Sequence, residues 1–268
     1  MHPFQSVLVP PAAVAIAWFG QNSFALQDAA GTMVLIDPYF PHDRPAEKFL
    51  HADPPLDEAQ LEADFILLTH DHSDHTCVET LGRIHRAFPD TEYVGPAESI
   101  ERLKAAGIDE ALLRVIAAGE SAELGTMTAH AVWSKPPGGA PADGIAAPGV
   151  QHLGYVVRAG GIGVYVTGDL IRTFAEHEEL LAPVAALAPE IGLLTTHPAE
   201  GEFPFFEGSV KMARRLGLKA VVPAHYDCFV KRTYDPAEWA ALLAPAGPRP
   251  IIIPYGGWIV YPRPGEGR

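Results

Sequence analysis

His70-Asp71-His72-Ser73-Asp74-His75 follows directly on the apolar run Phe65-Ile66-Leu67-Leu68-Thr69. Three imidazoles and a carboxylate within six residues, at the mouth of a buried strand, make a poor core and a good metal site. Imidazole suits zinc, iron and nickel, and carboxylate oxygen widens the choice towards manganese. Side chains two residues apart on extended chain share a face, so His70 and His72 are expected to point at one metal. Asp74 and His75 follow as the chain turns into the next helix and are expected to reach a second. A lone histidine near a strand is usually structural; four ligand-type residues at this spacing read as a metal site.

The 268 residues are 48% hydrophobic, enough for a substantial core, and are expected to form one domain of two halves, about 1–125 and 126–268. Nineteen basic against 33 acidic residues leave a net charge of −14, which repels polyanions and argues against a nucleic-acid partner. Two cysteines make no disulfide framework and fit a reducing cytoplasm. The apolar N-terminal stretch 7–19 contains Pro10-Pro11 and lacks a basic flank. It does not resemble a signal peptide, and no run reaches the ~18 apolar residues of a membrane span. A soluble cytoplasmic protein is expected.

Runs at 14–19, 23–27 and 32–36, separated by Gly20 and Ala30-Gly31, predict a strand meander. Residues 38–63, with their prolines and charges, read as a long loop with at most one short helix. The strand 65–69 then delivers the histidine cluster. Cys77, Val78, Leu81, Ile84 and Phe88 recur at helical spacing and predict a helix over 75–88; a second, over about 97–106, ends at Gly107. Further on, strands are expected at 126–133, 153–158, 163–167, 191–195, 219–223, 251–253 and 257–261. The pair 153–158 and 163–167 reads as a hairpin around 159–161. Helices are expected near 173–182, 207–216 and 236–243. Periodicity alone supports an α/β protein with mixed sheets.

Three further candidates stand out. His130 lies in Thr128-Ala129-His130-Ala131-Val132, Asp169 ends Val164-Tyr165-Val166-Thr167-Gly168-Asp169, and His225 ends Ala220-Val221-Val222-Pro223-Ala224-His225. Strand ends are where α/β proteins collect functional residues, because the sheet positions them and the following loop exposes them. Together with 70–75 these residues resemble the metallo-β-lactamase superfamily, whose pattern is His-x-His-x-Asp-His, a distant His, an Asp and a last His.

That resemblance implies a four-layer αββα sandwich of two mixed sheets with helices outside. It also implies two divalent ions per chain, zinc or manganese with iron as a third option. His70, His72 and His130 would hold one ion, Asp74, His75 and His225 the other, and Asp169 would bridge them. Two such cations generate hydroxide near neutral pH and polarise the bond under attack; Asp74 and Asp169 are the catalytic carboxylates, with Asp74 orienting the hydroxide or taking up its proton. Trp18-Phe19-Gly20-Gln21-Asn22-Ser23-Phe24, Leu35-Ile36-Asp37-Pro38, Gly154-Tyr155-Val156 and Pro223-Ala224-His225-Tyr226-Asp227 are similar to the ascorbate-6-phosphate-lactonase-like (UlaG-like) branch. This implies a hydrolase of a small-molecule ester, a lactone foremost, and a homo-oligomer. Gln21 departs from the branch, where many members carry histidine after the glycine. The alternatives are a small phosphodiester such as a cyclic nucleotide and, from another class, a non-catalytic metal-binding scaffold.

Asp37 precedes a proline at a strand end, as a turn residue would; the resemblance favours a carboxylate that hydrogen-bonds a ligand histidine. His152 and His197 are expected at the pocket, and Lys135 and Arg172 are the cations best placed to meet an anionic substrate group. His85 reads as a core histidine, Cys77 as a buried helix residue and Cys228 as a bystander. Residues 134–151, a long stretch rich in proline and glycine, read as a lid or as a plain connection. Phe203, Phe205 and Phe206 are pocket-wall, interface or core residues.

Overall fold

Strand parity builds the layers. The computed structural model describes residues 1–199 and 201–263. In β1 (Val14–Trp18), Val14, Ile16 and Trp18 face one way and Ala15 and Ala17 the other; all five are buried. A strand with two apolar faces must lie between two packed layers. The same holds for β2 (Phe24–Gln27), β3 (Met33–Ile36) and β4 (Phe65–Leu67). With β5 (Glu92–Gly95), β6 (Leu113–Val115) and the final strand Trp258–Tyr261 they make one seven-stranded sheet.

The second sheet contains β7 (Ser121–Leu124), β8 (Met127–Trp133), β9 (Leu153–Ala159), β10 (Ile162–Val166), β11 (Ile191–Thr195), β12 (Ala220–Ala224) and β13 (Arg249–Pro250). Counting on, Trp258–Tyr261 is β14, and it pairs antiparallel with β1. Both sheets mix parallel and antiparallel pairs.

The inward faces of the two sheets share one core, in which Val14, Ile16, Trp18 and Leu26 meet Ala129, Tyr155, Val157 and Val164. Outside the first sheet, α1 (Val78–Ala87) and α2 (Ala97–Ala105) bring Leu81, Ile84, Ile100 and Leu103 onto Ala15, Leu35 and Ile66. Outside the second, α3 (Glu178–Ala186), α4 (Phe206–Arg215) and α5 (Pro236–Ala241) bring Leu181, Val184, Val210 and Trp239 onto Val156, Tyr165 and Val221. The result is the expected four-layer αββα sandwich. Each fully buried Leu, Ile or Val contributes about 1.5–3 kcal/mol relative to exposure.

Several boundaries differ from the sequence reading. The sheets do not divide at 125/126: β7 belongs to the second sheet and β14 closes the first. Strands β5, β6 and β7 were not expected, since each short run contains a charged residue, Glu92, Arg114 or Glu123. The first helix starts at Val78, because the amides of His75 and Thr76 both bond back to the His72 carbonyl in a tight turn. The expected helix at 173–182 is a 3₁₀ turn, Phe174–Glu176, followed by α3. The expected strand at 251–253 is replaced by β13, although the Ile251 amide still donates to the Val221 carbonyl. The hairpin of β9 and β10 turns at Gly160-Gly161, and 38–63 holds a single 3₁₀ turn, Glu58–Gln60. No helix among the described residues is long and apolar enough to cross a membrane.

Candidate metal centre

Two parallel strands, β3 and β4, end side by side and deliver Asp37 and the 70–75 turn to the same edge of the sandwich. From the facing sheet come His152, directly before β9, and Asp169, three residues after β10; His225 directly follows β12. Gly168 lets the sheets meet here. A Cβ on it would lie 2.7 Å from the Leu153 carbonyl and 3.0 Å from the Thr69 Cβ, and its φ is +55°.

Three overlapping groups of donors result: His70 with His72 and His152, His70 with His75 and Asp169, and Asp74 with His75 and His225. Within each group the donor atoms lie within 4.8 Å of one another. Asp169 Oδ1 lies 3.4 Å from His75 Nε2 and 3.2 Å from His225 Nε2, and its Oδ2 lies 3.6 Å from His70 Nε2. Asp74 Oδ2 lies 3.7 Å from His75 Nε2 and 3.8 Å from His225 Nε2. The His70 Nε2 and His72 Nδ1 atoms face each other at 3.1 Å.

The donor set fits metal ions on two counts. His75 Nδ1 bonds Asp37 at 2.7 Å, so Nε2 is the nitrogen aimed at the centre. Among the described residues, the buried His75 Nε2 and Asp169 Oδ1 have no hydrogen-bond partner, and buried polar atoms left unpaired are costly unless something binds them. Charge says the same. Burial opposes a proton on His75, yet the carboxylates of Asp169, Asp74 and Asp37 outweigh it and hold its pKa well above the ordinary imidazole value. Burial would raise Asp169, but His225 and His75 pull it well below the usual carboxylate range. Asp74 is likewise lowered against its burial, by His75 and His225. Burial, reinforced by His75, pushes His70 well below the ordinary value, and burial also lowers His225. Burial with Lys135 drives His152 down to about 3. His70, His152 and His225 are thus neutral beside ionised carboxylates, as a metal needs, while His75 holds a proton that a cation among the same three carboxylates would displace.

One expected ligand is not brought to the centre. His130 stands apart from all three groups. Met127, Ala129 and Ala131 of β8 face the inter-sheet core, so His130 faces outward, lining a groove with Glu120, Trp133 and Pro183 under α3. The third imidazole beside His70 and His72 is His152, whose ring stacks on His70 at 4.0 Å. Position in the strand carries the signal: His130 is mid-strand with apolar neighbours two residues apart, whereas His152 stands at a strand start.

Asp37 bonds His75, one of the candidate donors. Its carboxylate also accepts from the Thr69 amide (2.8 Å), Thr69 Oγ1 (2.6 Å) and Asn22 Nδ2 (2.7 Å). Gln21, whose role the sequence left open, donates to Asp74 Oδ2 at 2.7 Å and lies 3.0 Å from His225 Nε2. Gln21, Asp37 and His225 all have positive φ (52°, 42° and 66°). Such a backbone costs about 1–2 kcal/mol per non-glycine residue and persists here where the surrounding bonds overdetermine it.

Of the other candidates, Lys135 is buried and paired with Glu202, and both line a cavity of about 400 Å³ with His72, His152 and Arg172. Residues 144–149 of the expected lid form its wall. His197 is buried but lies outside the donor groups, edge-on to Tyr234 at 5.9 Å. Cys228 and Cys77 pack with Tyr39 and Phe49, and burial pushes the Cys228 thiol up to about 11. Phe203 packs on the His225 ring at 4.4 Å, Phe205 lies under Arg172, and Phe206 belongs to the outer core. Glu200, within the aromatic and acidic stretch 197–206, lies outside the described residues.

Comparison with known proteins agrees with this fold. The model of the beta-lactamase superfamily domain matches residues 32–226. A metal-dependent hydrolase of Xanthobacter autotrophicus is 29% identical over 251 residues, 90% of this chain and 95% of that protein. One from Methanoculleus marisnigri is 28% identical over 220 residues, 80% of this chain and 81% of that protein. Among solved structures, Igni18, a metallo hydrolase from Ignicoccus hospitalis, superposes with a TM-score of 0.71 at 20% identity, covering 96% of this chain and all (100%) of that one.

Proposed function

The chain belongs to the beta-lactamase superfamily, and on that premise we propose that it is a metal-dependent hydrolase that holds two divalent ions and cleaves a small-molecule ester, a lactone foremost. The carrying observation is that the three donor groups are linked through His70 and His75, with Asp169 in the middle group and within 3.6 Å of the His70, His75 and His225 nitrogens. In this reading His70, His72 and His152 would hold one ion and Asp74, His75 and His225 the other, with Asp169 available to either. Nitrogen and oxygen donors without thiolate suit zinc, manganese or iron. Two such ions supply hydroxide at neutral pH and polarise a carbonyl oxygen.

The remaining work falls to this chain's own groups. Asp37 fixes the tautomer and orientation of His75 through the 2.7 Å bond. Gln21 turns one oxygen of Asp74 towards its amide and leaves the other to accept a proton from the attacking water. Tyr39, Phe203 and Phe229 wall a cleft of about 520 Å³ that opens on His72, Asp74 and Asp169. A ring or chain seated there would exclude bulk water from one side of the ester. The proton taken up by Asp74 is then available to the leaving alkoxide, giving the hydroxy acid.

The test is metal content and turnover together. Protein reconstituted with zinc or manganese is assayed on a panel of lactones and small phosphodiesters, with Asp74→Ala as the blank. Two ions per chain and lactone turnover that falls at least about 100-fold in the variant are expected. Diester turnover with inert lactones would replace the ester reading by the phosphodiester one. Bound ions with no turnover on either class would favour the scaffold.

A further inference from the structure

The cations of this acidic chain are unevenly paired. Away from the cleft, Arg102, Lys104, Lys211, Arg215 and Lys219 each hold a carboxylate. At the rim of the 520 Å³ cleft stand Lys48, Lys231 and Arg232, all exposed, and none forms an ion pair among the described residues. Two of them lie over aromatic rings instead. The Lys48 Nζ is 5.6 Å from the Phe229 ring centre and 5.2 Å from that of Phe49, and the Arg232 guanidinium is 5.2 Å from that of Phe203. A ring holds a cation without consuming its hydrogen-bond donors. Four carboxylates share the cleft: Asp74 and Asp169 belong to the donor centre, Glu202 is taken by Lys135, and Glu47 forms no ion pair among the described residues.

The rings themselves form one wall. Phe229 lies 5.7 Å from Tyr39 and 5.4 Å from Phe49, and Phe203 packs on His225. The cleft thus has a donor centre at its floor, flat apolar rings along its side and three unneutralised cations at its mouth. In a protein with a net charge of −14, three cations against one unpaired carboxylate, Glu47, give this mouth a local positive excess that favours an anion there.

Resting on the hydrolase reading above, we infer that the substrate is an anionic ester bearing a ring. Its ring lies against Tyr39, Phe203 and Phe229, and a carboxylate or phosphate remote from the scissile bond meets Lys48, Lys231 and Arg232. The smaller cavity on the other side of His72, with Lys135 already paired, takes the uncharged part.

Binding tests this without turnover. The probes are 3-(2-hydroxyphenyl)propanoate, the hydrolysis product of dihydrocoumarin, and the same compound with a second carboxylate on its ring. Calorimetry on the zinc-loaded protein is expected to show the added carboxylate tightening binding about tenfold, an advantage that high salt erodes. In Lys48→Glu/Lys231→Glu/Arg232→Glu the ratio should fall to one or below; the single Lys231→Gln change, on an exposed residue, guards against misfolding and should lower it part-way. Phe229→Ala should weaken both ring probes relative to 4-hydroxybutanoate. A ratio near one in the natural protein, or a tenfold ratio that survives the triple change, overturns the inference. Dihydrocoumarin and its ring-carboxylated form are then assayed for turnover. If neither is hydrolysed while the rim-dependent ratio persists, the lactone reading falls and the anion-binding mouth stands.

Discussion

The two flanks of the candidate metal centre are built differently. On the His75 flank the Asp37 carboxylate is fully engaged: it accepts from Asn22, from Thr69 twice and from His75, and all four residues are buried. On the His152 flank the imidazole stacks on His70, its Nδ1 has no hydrogen-bond partner among the described residues, and its neighbours come from the irregular segment 144–149. One flank is rigid because β3 and β4 carry it; the other can adjust because a loop does. Bonded scaffolding fixes where the candidate donors sit, and the looser side is where pocket shape can differ between proteins of the same fold.

The contrast breaks most visibly at Asp37. Asp37→Ala strips the acceptor from four donors in a closed interior and is expected to cost about 3–5 kcal/mol, the usual result of removing one partner of a buried charged network. Denaturant unfolding of the metal-free protein reads this directly. A loss below 1 kcal/mol would show the rigid flank to be no more built than the other.

Next in size is the exchange of histidines. His152→Ala is expected to weaken binding of one ion by about 10–100-fold, with the second retained, by competition with a chelator. His130→Ala should leave ion binding unchanged and shift stability by no more than about 0.5 kcal/mol. The reverse pattern would restore His130 as the ligand.

Gln21→Leu sharpens the comparison by removing the amide that holds Asp74. A fall in kcat of about tenfold with ion content intact is expected if orientation of Asp74 is what Gln21 supplies. Loss of an ion instead would place Gln21 in the rigid scaffold.

The smallest effect concerns the loop flank. His177 Nε2 lies 2.8 Å from Asp143 Oδ2, Nδ1 lies 3.1 Å from Glu179, and Thr173 bonds the same Asp143 oxygen, tying the 141–143 turn to the start of α3. Burial opposes the charge on His177, but the bonds to Asp143 and Glu179 raise its pKa above 6.5. A group whose folded pKa is raised stabilises most fully below its unfolded value and loses that contribution as pH rises through the folded one. The loop should therefore resist proteolysis better at pH 6 than at pH 8, and Asp143→Asn should remove the difference.

Much of this was legible before the fold was known, and particular residues show why. His70, His72, Asp74 and His75 lie within one turn of chain, so local geometry alone brings them together. Asp37, Asp169 and His225 stand at or just beyond strand ends, where the sheet aims them at one edge. His130 misled because the order of ligand types along the chain carries no information about which face of a strand a side chain occupies. The alternation of Met127, Ala129 and Ala131 with Thr128 and His130 did carry it. Gln21 stood out only as a departure from the branch, and its role was not legible, since its contact with Asp74 spans 53 positions.

By itself, the sequence determined mixed sheets with helices and the local cluster, because hydrophobic periodicity and short-range spacing are properties of neighbouring residues; the four layers came from the family resemblance. Only the tertiary structure decided that His152 completes the donor set, that Asp37 and Gln21 brace it, and that Lys48, Lys231 and Arg232 converge unpaired on one cleft. Those relations join segments separated by tens to hundreds of residues, and they arise only when the two sheets close on each other and bring their loops to a common edge.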